Sequence, residues 1–184
     1  LVLNSDQTRP IHLAFAIALA TMAFPLFKSS PRRSIPWYDW GLLVLGIGAC
    51  LYLVVFKAAI AERPGLPITA DLVASTIGIA VLMIAVFRSL GLPLLCVAGA
   101  FLLYAFFGHS DWLPEVMRWK GASYSKAMWH FWMQTEGVFG VALGVSTSMI
   151  FLFVLFGALL EKSGGGNWFI KVAISLLGGL RGGP

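Results

Sequence analysis

The sequence predicts an all-α integral membrane protein with about five transmembrane helices and additional interfacial or arm helices. Of its 184 residues, 59% are hydrophobic and 11% are charged, whereas a soluble domain carries about 25% charged residues. A surface so poor in charge needs lipid as its solvent. Five apolar runs, each close to the roughly 20 residues that cross a bilayer, occupy residues 11–27, 41–57, 71–88, 91–108 and 138–160.

Short loops between these runs give the predicted orientation. Gly91 and Pro93 make a tight turn between the third and fourth runs. Residues 28–40 carry three basic side chains before their first acid, and an excess of Lys and Arg is typical of cytoplasmic loops. We therefore place residues 28–40 and 88–91 in the cytoplasm. Leu1 then lies outside, which together with the missing initial Met predicts a further helix upstream.

Composition also limits the function classes. The net charge of +5 does not indicate nucleic-acid binding, because the basic residues are scattered over short loops and not gathered on one face. Cys50 and Cys96 each lie inside an apolar run and are predicted to be small packing residues. No zinc, haem or iron–sulfur spacing appears in the sequence, so we expect no bound cofactor or metal.

The loop 109–136 is rich in tryptophan and is predicted to lie at the membrane surface. From Ser123 onward, Trp and Met side chains repeat at helical spacing, which is typical of a helix in the headgroup layer. An ordinary aromatic belt is the alternative. We expect Trp129, Trp132 and Glu136 to form an interface or to dock a partner, although capping or solvation is the simpler role for Glu136.

Ionisable side chains are nearly absent from the interiors of the predicted spans. Charged groups within spans usually mark function in membrane proteins, so this argues against a proton relay, a catalytic dyad or a voltage sensor. His12 and Arg88 stand at the ends of runs. Snorkelling of the polar head to the membrane surface is the favoured interpretation for both.

The best polar group at mid-membrane depth is the sequence Ser146, Thr147 and Ser148 in the last run. These hydroxyls either line an ion or substrate path or bond back to carbonyls one turn earlier, and back-bonding is the simpler interpretation. The same back-bonding is expected for Ser75 and Thr76.

The last run ends at a Glu-Lys pair, and the chain becomes apolar again after three glycines. Gly164, Gly165 and Gly166 permit positive φ angles and are predicted to reverse the chain direction. Asn167 would then cap a helix over residues 168–177. Such a helix is too short to cross the bilayer, so we predict an interfacial or arm helix.

Several stretches resemble one family of membrane proteins. The segments TEGVFGVALGVSTSMIFLFVLFGALLEKSGGGNWF and LLGGLRGGP are similar to the permease of tripartite ATP-independent periplasmic (TRAP) transporters. The segments RPIHLAFAIALA and FRSLGLPLLCVAGAFLLYAFFG narrow the resemblance to the fused, TAXI-associated type, in which small and large membrane subunits share one chain. The resemblance implies that residues 1–89 are small-subunit helices without the first helix. Residues 90–184 would be the truncated start of the large transport subunit.

The resemblance also implies a function. The chain would be a multi-pass permease component in a bacterial inner membrane, and not an enzyme. It would belong to a secondary transporter that couples sodium flow to the uptake of organic acids delivered by a periplasmic binding protein. Its expected partners are that binding protein, the remainder of the permease chain and the lipid bilayer. The sodium ligands of the family would lie after Pro184, so no residue of this chain is assigned to sodium.

Two alternatives come from other classes. A non-transporting membrane assembly or scaffold subunit agrees equally well with the lack of charge inside the spans. An intramembrane enzyme would need a nucleophile with a base, or a metal cluster, and the sequence offers no convincing set of such residues.

Overall fold

The computed structural model describes residues 4–24, 35–111 and 113–177. Within these ranges every regular element is helical, as predicted. The elements are α1 (Ser5–Ala23), α2 (Trp37–Val55), α3 (Lys57–Ala61), α4 (Thr69–Leu90), α5 (Leu92–Phe107), a 3₁₀ turn (Glu115–Met117), α6 (Tyr124–Met128), a π turn (Trp129–Met133), α7 (Val141–Val145), a second π turn (Ser146–Ile150), α8 (Phe151–Lys162) and α9 (Gly165–Leu177).

The chain divides into two compact units, one up to Gly144 and one from Val145 onward. The first unit is built on α1, α2 and α4, which pack against one another. Contacts between their ends show that α2 runs antiparallel to both α1 and α4. We call the end of this bundle where α2 begins and α4 ends the Arg88 end, and the opposite end the Arg63 end.

Small residues bring the bundle helices close together. Ile17 and Cys50 are almost completely buried in the core, as predicted for Cys50. A Cβ added at Gly46 would lie 2.8 Å from Cγ2 of Ile17 and 3.0 Å from Cγ1 of Val81. Glycine at this position therefore allows α2 to approach both α1 and α4, and the three helices form one apolar core.

By length and composition, three helices of the described residues can cross a membrane: Trp37–Val55, Thr69–Leu90 and the continuous helix Val141–Lys162. These correspond to the second, third and fifth predicted spans. The fourth predicted span is α5, a shorter apolar helix of 16 residues. For the first, the structure shows that α1 begins six residues earlier than predicted, in the polar sequence SDQTR.

The second unit exposes nearly all of its apolar surface. Residues 151–159 of α8 are all exposed, and most of them are large and hydrophobic. An apolar patch of this extent is typical of a surface that meets lipid or another protein. The composition of α8 therefore agrees with a membrane-spanning helix.

Candidate functional site at the charged ends of the helix bundle

A buried ion pair ties three helices together at the Arg88 end. The guanidinium of Arg88 is paired with the carboxylate of Asp39, and the two side chains are 0% and 2% exposed. Arg88 also donates from Nη1 to the carbonyls of Phe24 at 3.4 Å and Thr21 at 3.5 Å. The prediction that Arg88 snorkels to the membrane surface is wrong, because Asp39 and the free carbonyls at the end of α1 satisfy the charge inside the protein.

This pair also bears on the predicted orientation. Asp39 belongs to the predicted cytoplasmic loop 28–40 and Arg88 to the predicted cytoplasmic segment 88–91. Their contact places Asp39 and Arg88 at the same end of the bundle, as the charge pattern requires. Residues 25–34 lie outside the described part of the chain, and the side of the membrane stays a prediction.

A second charged cluster holds the Arg63 end together. The carboxylate of Asp71 is fully buried and accepts hydrogen bonds from Tyr52 Oη at 2.7 Å and from the backbone N–H of Ile68 at 3.0 Å. Arg63 lies 3.3 Å from the same carboxylate. Asp71 is in the first turn of α4, where a negative charge also interacts favourably with the helix dipole. The cluster therefore connects α2, α4 and the segment between α3 and α4.

Arg9 connects α1 to the segment that follows the π turn. Its Nη1 donates to the carbonyl of Phe139 at 2.8 Å, and its guanidinium packs over Gly144, where an added Cβ would lie 2.9 Å from Nη2. Nearby, Lys57 and Asp6 form an ion pair of 3.0 Å between the start of α3, directly after α2, and the start of α1. Both of these side chains are roughly 40% exposed, so their pairing adds little stability.

A cavity of about 260 Å³ lies beside Arg9 at the Arg63 end. We call it the Arg9 pocket. Leu53, Ile60 and Met133 contribute apolar side chains to its wall, and Lys57 contributes a charged one. All of its lining residues belong to the first unit.

Trp132 fills the space between α2 and α4. Its side chain is fully buried, and its Nε1 donates to the carbonyl of Ala49 at 3.3 Å. An added Cβ at Gly78 would overlap the indole ring. Phe139 packs edge-on against the same ring, with centroids 5.1 Å apart. Trp132 therefore completes the bundle core from outside the bundle helices.

The predicted surface helix differs from expectation in what it contacts. A helix does begin directly after Ser123, but it changes to a π turn at Trp129. Trp129 is 6% exposed and Trp132 is 0% exposed, so both rings are buried within the protein, and whether this segment lies at the depth of the headgroup layer stays a prediction. The spacing of the Trp and Met side chains predicted the apolar face of this segment, but it did not predict what covers that face. Glu136 is exposed, and a docking role for the loop 109–136 stays a prediction.

The three hydroxyl residues of the last span lie in a π turn. Ser146, Thr147 and Ser148 begin the π segment within the helix Val141–Lys162, so this helix is not α-helical throughout. Ser146 and Thr147 are partly buried, whereas Ser148 is exposed. π turns inside α-helices are frequent at functional sites because they widen the helix and redirect its side chains. A role in an ion or substrate path stays a prediction.

The glycine segment turns the chain at one residue only. Gly164 has a φ angle of +75°, whereas Gly165 and Gly166 are already the first residues of α9. The N–H of Trp168 donates to the carbonyl of Gly164 at 3.1 Å, so the helix starts before Asn167. The predicted capping role of Asn167 is therefore wrong. The helix of 13 residues is still too short to span a bilayer.

The residues brought together by the fold are pairs and clusters of opposite charge, each suited to holding helices in fixed positions. Within residues 4–24, 35–111 and 113–177, no group of three or more His, Cys, Asp or Glu side chains is arranged to hold a metal ion. The ion pairs Asp39–Arg88 and Asp71–Arg63 were not predicted from the sequence. The pairing of Asp39 with Arg88 could have been predicted from their positions, because the two residues stand at the ends of neighbouring antiparallel spans.

Comparison with known proteins identifies the family. A family model described as "Tripartite ATP-independent periplasmic transporter, DctM component" matches residues 77–184, more than half of the chain. No curated protein and no solved structure matches the chain closely enough to be compared with it. The match begins within α4, before the predicted boundary at residue 90, and the division into small- and large-subunit parts stays a prediction. By this match, the chain belongs to the DctM family and is a membrane component of a TRAP transporter.

Proposed function

We propose that the chain is part of a sodium-coupled permease that takes up organic acids from a periplasmic binding protein across a bacterial inner membrane. The family match over residues 77–184 is the observation that carries this proposal. Within the permease, we assign the α1–α2–α4 bundle to a fixed scaffold. Secondary transporters commonly move one bundle of helices against another that stays fixed.

The scaffold role is supported by the contacts at both ends of the bundle. Asp39 and Arg88 tie the helices at one end, and Asp71 with Arg63 ties them at the other. Between these ends, Trp132 fills the space between α2 and α4. Helices fastened at both ends and interlocked in the middle cannot slide past one another without breaking buried polar contacts, which is costly.

The path role is supported by the π turn. Sodium and organic acid sites in such transporters need irregular backbone and polar groups at membrane depth. The π turn at Ser146, Thr147 and Ser148 provides both features in an otherwise apolar helix. We therefore propose that these hydroxyls contribute to the ion or substrate path.

The proposal is tested by uptake into proteoliposomes that contain the chain, its companion transporter components and the periplasmic binding protein loaded with a labelled organic acid. We expect accumulation when sodium flows inward and none when sodium is replaced by choline. Accumulation that is independent of the sodium gradient would refute the coupling. A second preparation lacks only this chain. If it accumulates the acid equally well, the chain is an assembly subunit and the permease assignment is wrong.

A further inference from the structure

The wall of the Arg9 pocket contains a cation, the guanidinium of Arg9. Within the described ranges, no carboxylate lies within ion-pair distance of Arg9. Its Nη1 donates to a neutral acceptor, the carbonyl of Phe139, and its buried Nε has no acceptor among the residues that the structure describes. A partly buried charge that is balanced only by a carbonyl dipole gains free energy when an anion binds next to it.

The charges around Arg9 select the charge of that anion. Asp6 and Lys57 line the same pocket and pair with each other at 3.0 Å, so together they cancel. One net positive charge therefore remains in the pocket. Trp129 adds a buried Nε1–H that has no acceptor in the described part of the chain. Arg9 and the Trp129 N–H together therefore suit a ligand with one negative charge. The carboxylate of Asp6 would repel a ligand that carries two or more negative charges.

The apolar part of the wall selects the rest of the ligand. Leu53, Ile60 and Met133 line the pocket, and its volume of about 260 Å³ accommodates a head and the first carbons of a chain. The pocket lies where the span α2 ends, at Val55. Lipid headgroups occupy this depth of a bilayer.

We propose that the Arg9 pocket binds the head of an amphiphile with one net negative charge, an oxyanion on an apolar body. The oxyanion lies against the guanidinium of Arg9, and the apolar body lies against Leu53 and Ile60. A phosphodiester lipid such as phosphatidylglycerol and a fatty acid carboxylate share this chemistry. The site does not depend on the proposed transport function.

Native mass spectrometry of the purified chain in detergent tests the site with three probes: phosphatidylglycerol, phosphatidylcholine and dodecanoate. We expect one molecule of an anionic probe to remain bound, with phosphatidylcholine lost first. Retention of phosphatidylglycerol identifies the phospholipid as the source, and displacement of it by dodecanoate identifies the fatty acid. Equal loss of both anionic probes and phosphatidylcholine overturns the proposal.

Two pairs of variants locate the binding. Arg9→Gln should lower the bound fraction about tenfold, the expected loss for one charge-assisted hydrogen bond. Arg118→Gln is its control, because Arg118 does not line the Arg9 pocket and its loss changes the net charge equally. Should Arg9→Gln fail to fold, Ala61→Phe fills the pocket from its rim, and Ala58→Phe makes the same change on α3 outside the lining. Unchanged binding in Ala61→Phe, or equal losses in either pair, contradicts the site.

Discussion

Replacing Asp39 with Asn should destabilise the protein strongly. The substitution keeps the shape of the side chain and removes its charge. Arg88 would then hold a positive charge at 0% exposure, and its hydrogen-bond partners among the described residues would be the carbonyls of Thr21 and Phe24 and a neutral amide. Removing one partner of a buried ion pair costs about 3 to 5 kcal/mol. This corresponds to a loss of more than about a hundredfold in the folding equilibrium constant.

The matched control is Asp111→Asn. Asp111 also pairs with an arginine, Arg118, at 3.3 Å, but its side chain is 99% exposed. An exposed pair contributes about 0 to 1 kcal/mol because water and salt screen it. The two substitutions therefore make the same chemical change, and they differ in the burial of the pair.

Unfolding by sodium dodecyl sulfate in mixed micelles, followed by helical circular dichroism, measures both variants. We also expect the double variant Asp39→Leu with Arg88→Met to recover most of the lost stability, because replacing a buried pair with apolar groups is often neutral or stabilising. If Asp39→Asn costs no more than Asp111→Asn, the Arg88 charge is not buried and the reasoning fails.

Three further predictions concern packing, orientation and the turn before α9. Gly78→Ala should displace the Trp132 ring and lower the free energy of unfolding by about 1 to 3 kcal/mol in the same assay. The control Gly99→Ala adds a methyl group in open space on α5 and should leave the stability unchanged or raise it. Equal effects of the two substitutions would contradict the tight packing at Gly78. Ser110→Cys should react with an impermeant thiol reagent in intact cells and Ser89→Cys should be shielded, and the opposite labelling would invert the orientation. Gly164→Ala should lower the stability of the turn by about 1 kcal/mol, because a residue with a Cβ is strained at positive φ. Amide hydrogen exchange at the start of α9 should then become faster, and unchanged exchange would contradict the prediction.

Local chemistry was predictable from the sequence. The apolar runs predicted a helical membrane protein, and the hydroxyls of Ser75 and Thr76 bond back to the carbonyls of Asp71 and Leu72, as expected. Such interactions lie within one helical turn, so residue type and spacing determine them. The short helix at the end was predictable for the same reason, although its first residue was misplaced because Gly164 alone makes the turn.

Long-range partners were not predictable in the same way. Asp39 and Arg88 are 49 residues apart, and each in isolation resembles an ordinary charged residue at the end of a span. Only the antiparallel packing of α2 and α4 brings the two ends together. Likewise, the spacing around Trp132 predicts an apolar face, but the same face suits lipid, an aromatic belt or a protein core. Its burial depends on the gap that Gly78 leaves in α4.

The position of Trp132 in the bundle has a consequence for biogenesis. This side chain is synthesised 54 residues after Gly78, against which it packs. At about 5 to 20 residues per second, roughly 3 to 11 seconds separate the two during translation. In the part of this interval that follows the synthesis of Leu90, the last residue of α4, both α2 and α4 are complete, but the slot between them lacks the ring that fills it. The nascent protein therefore passes through a stage with an incompletely packed helix pair, and we expect membrane quality-control proteases to act on the chain at that stage.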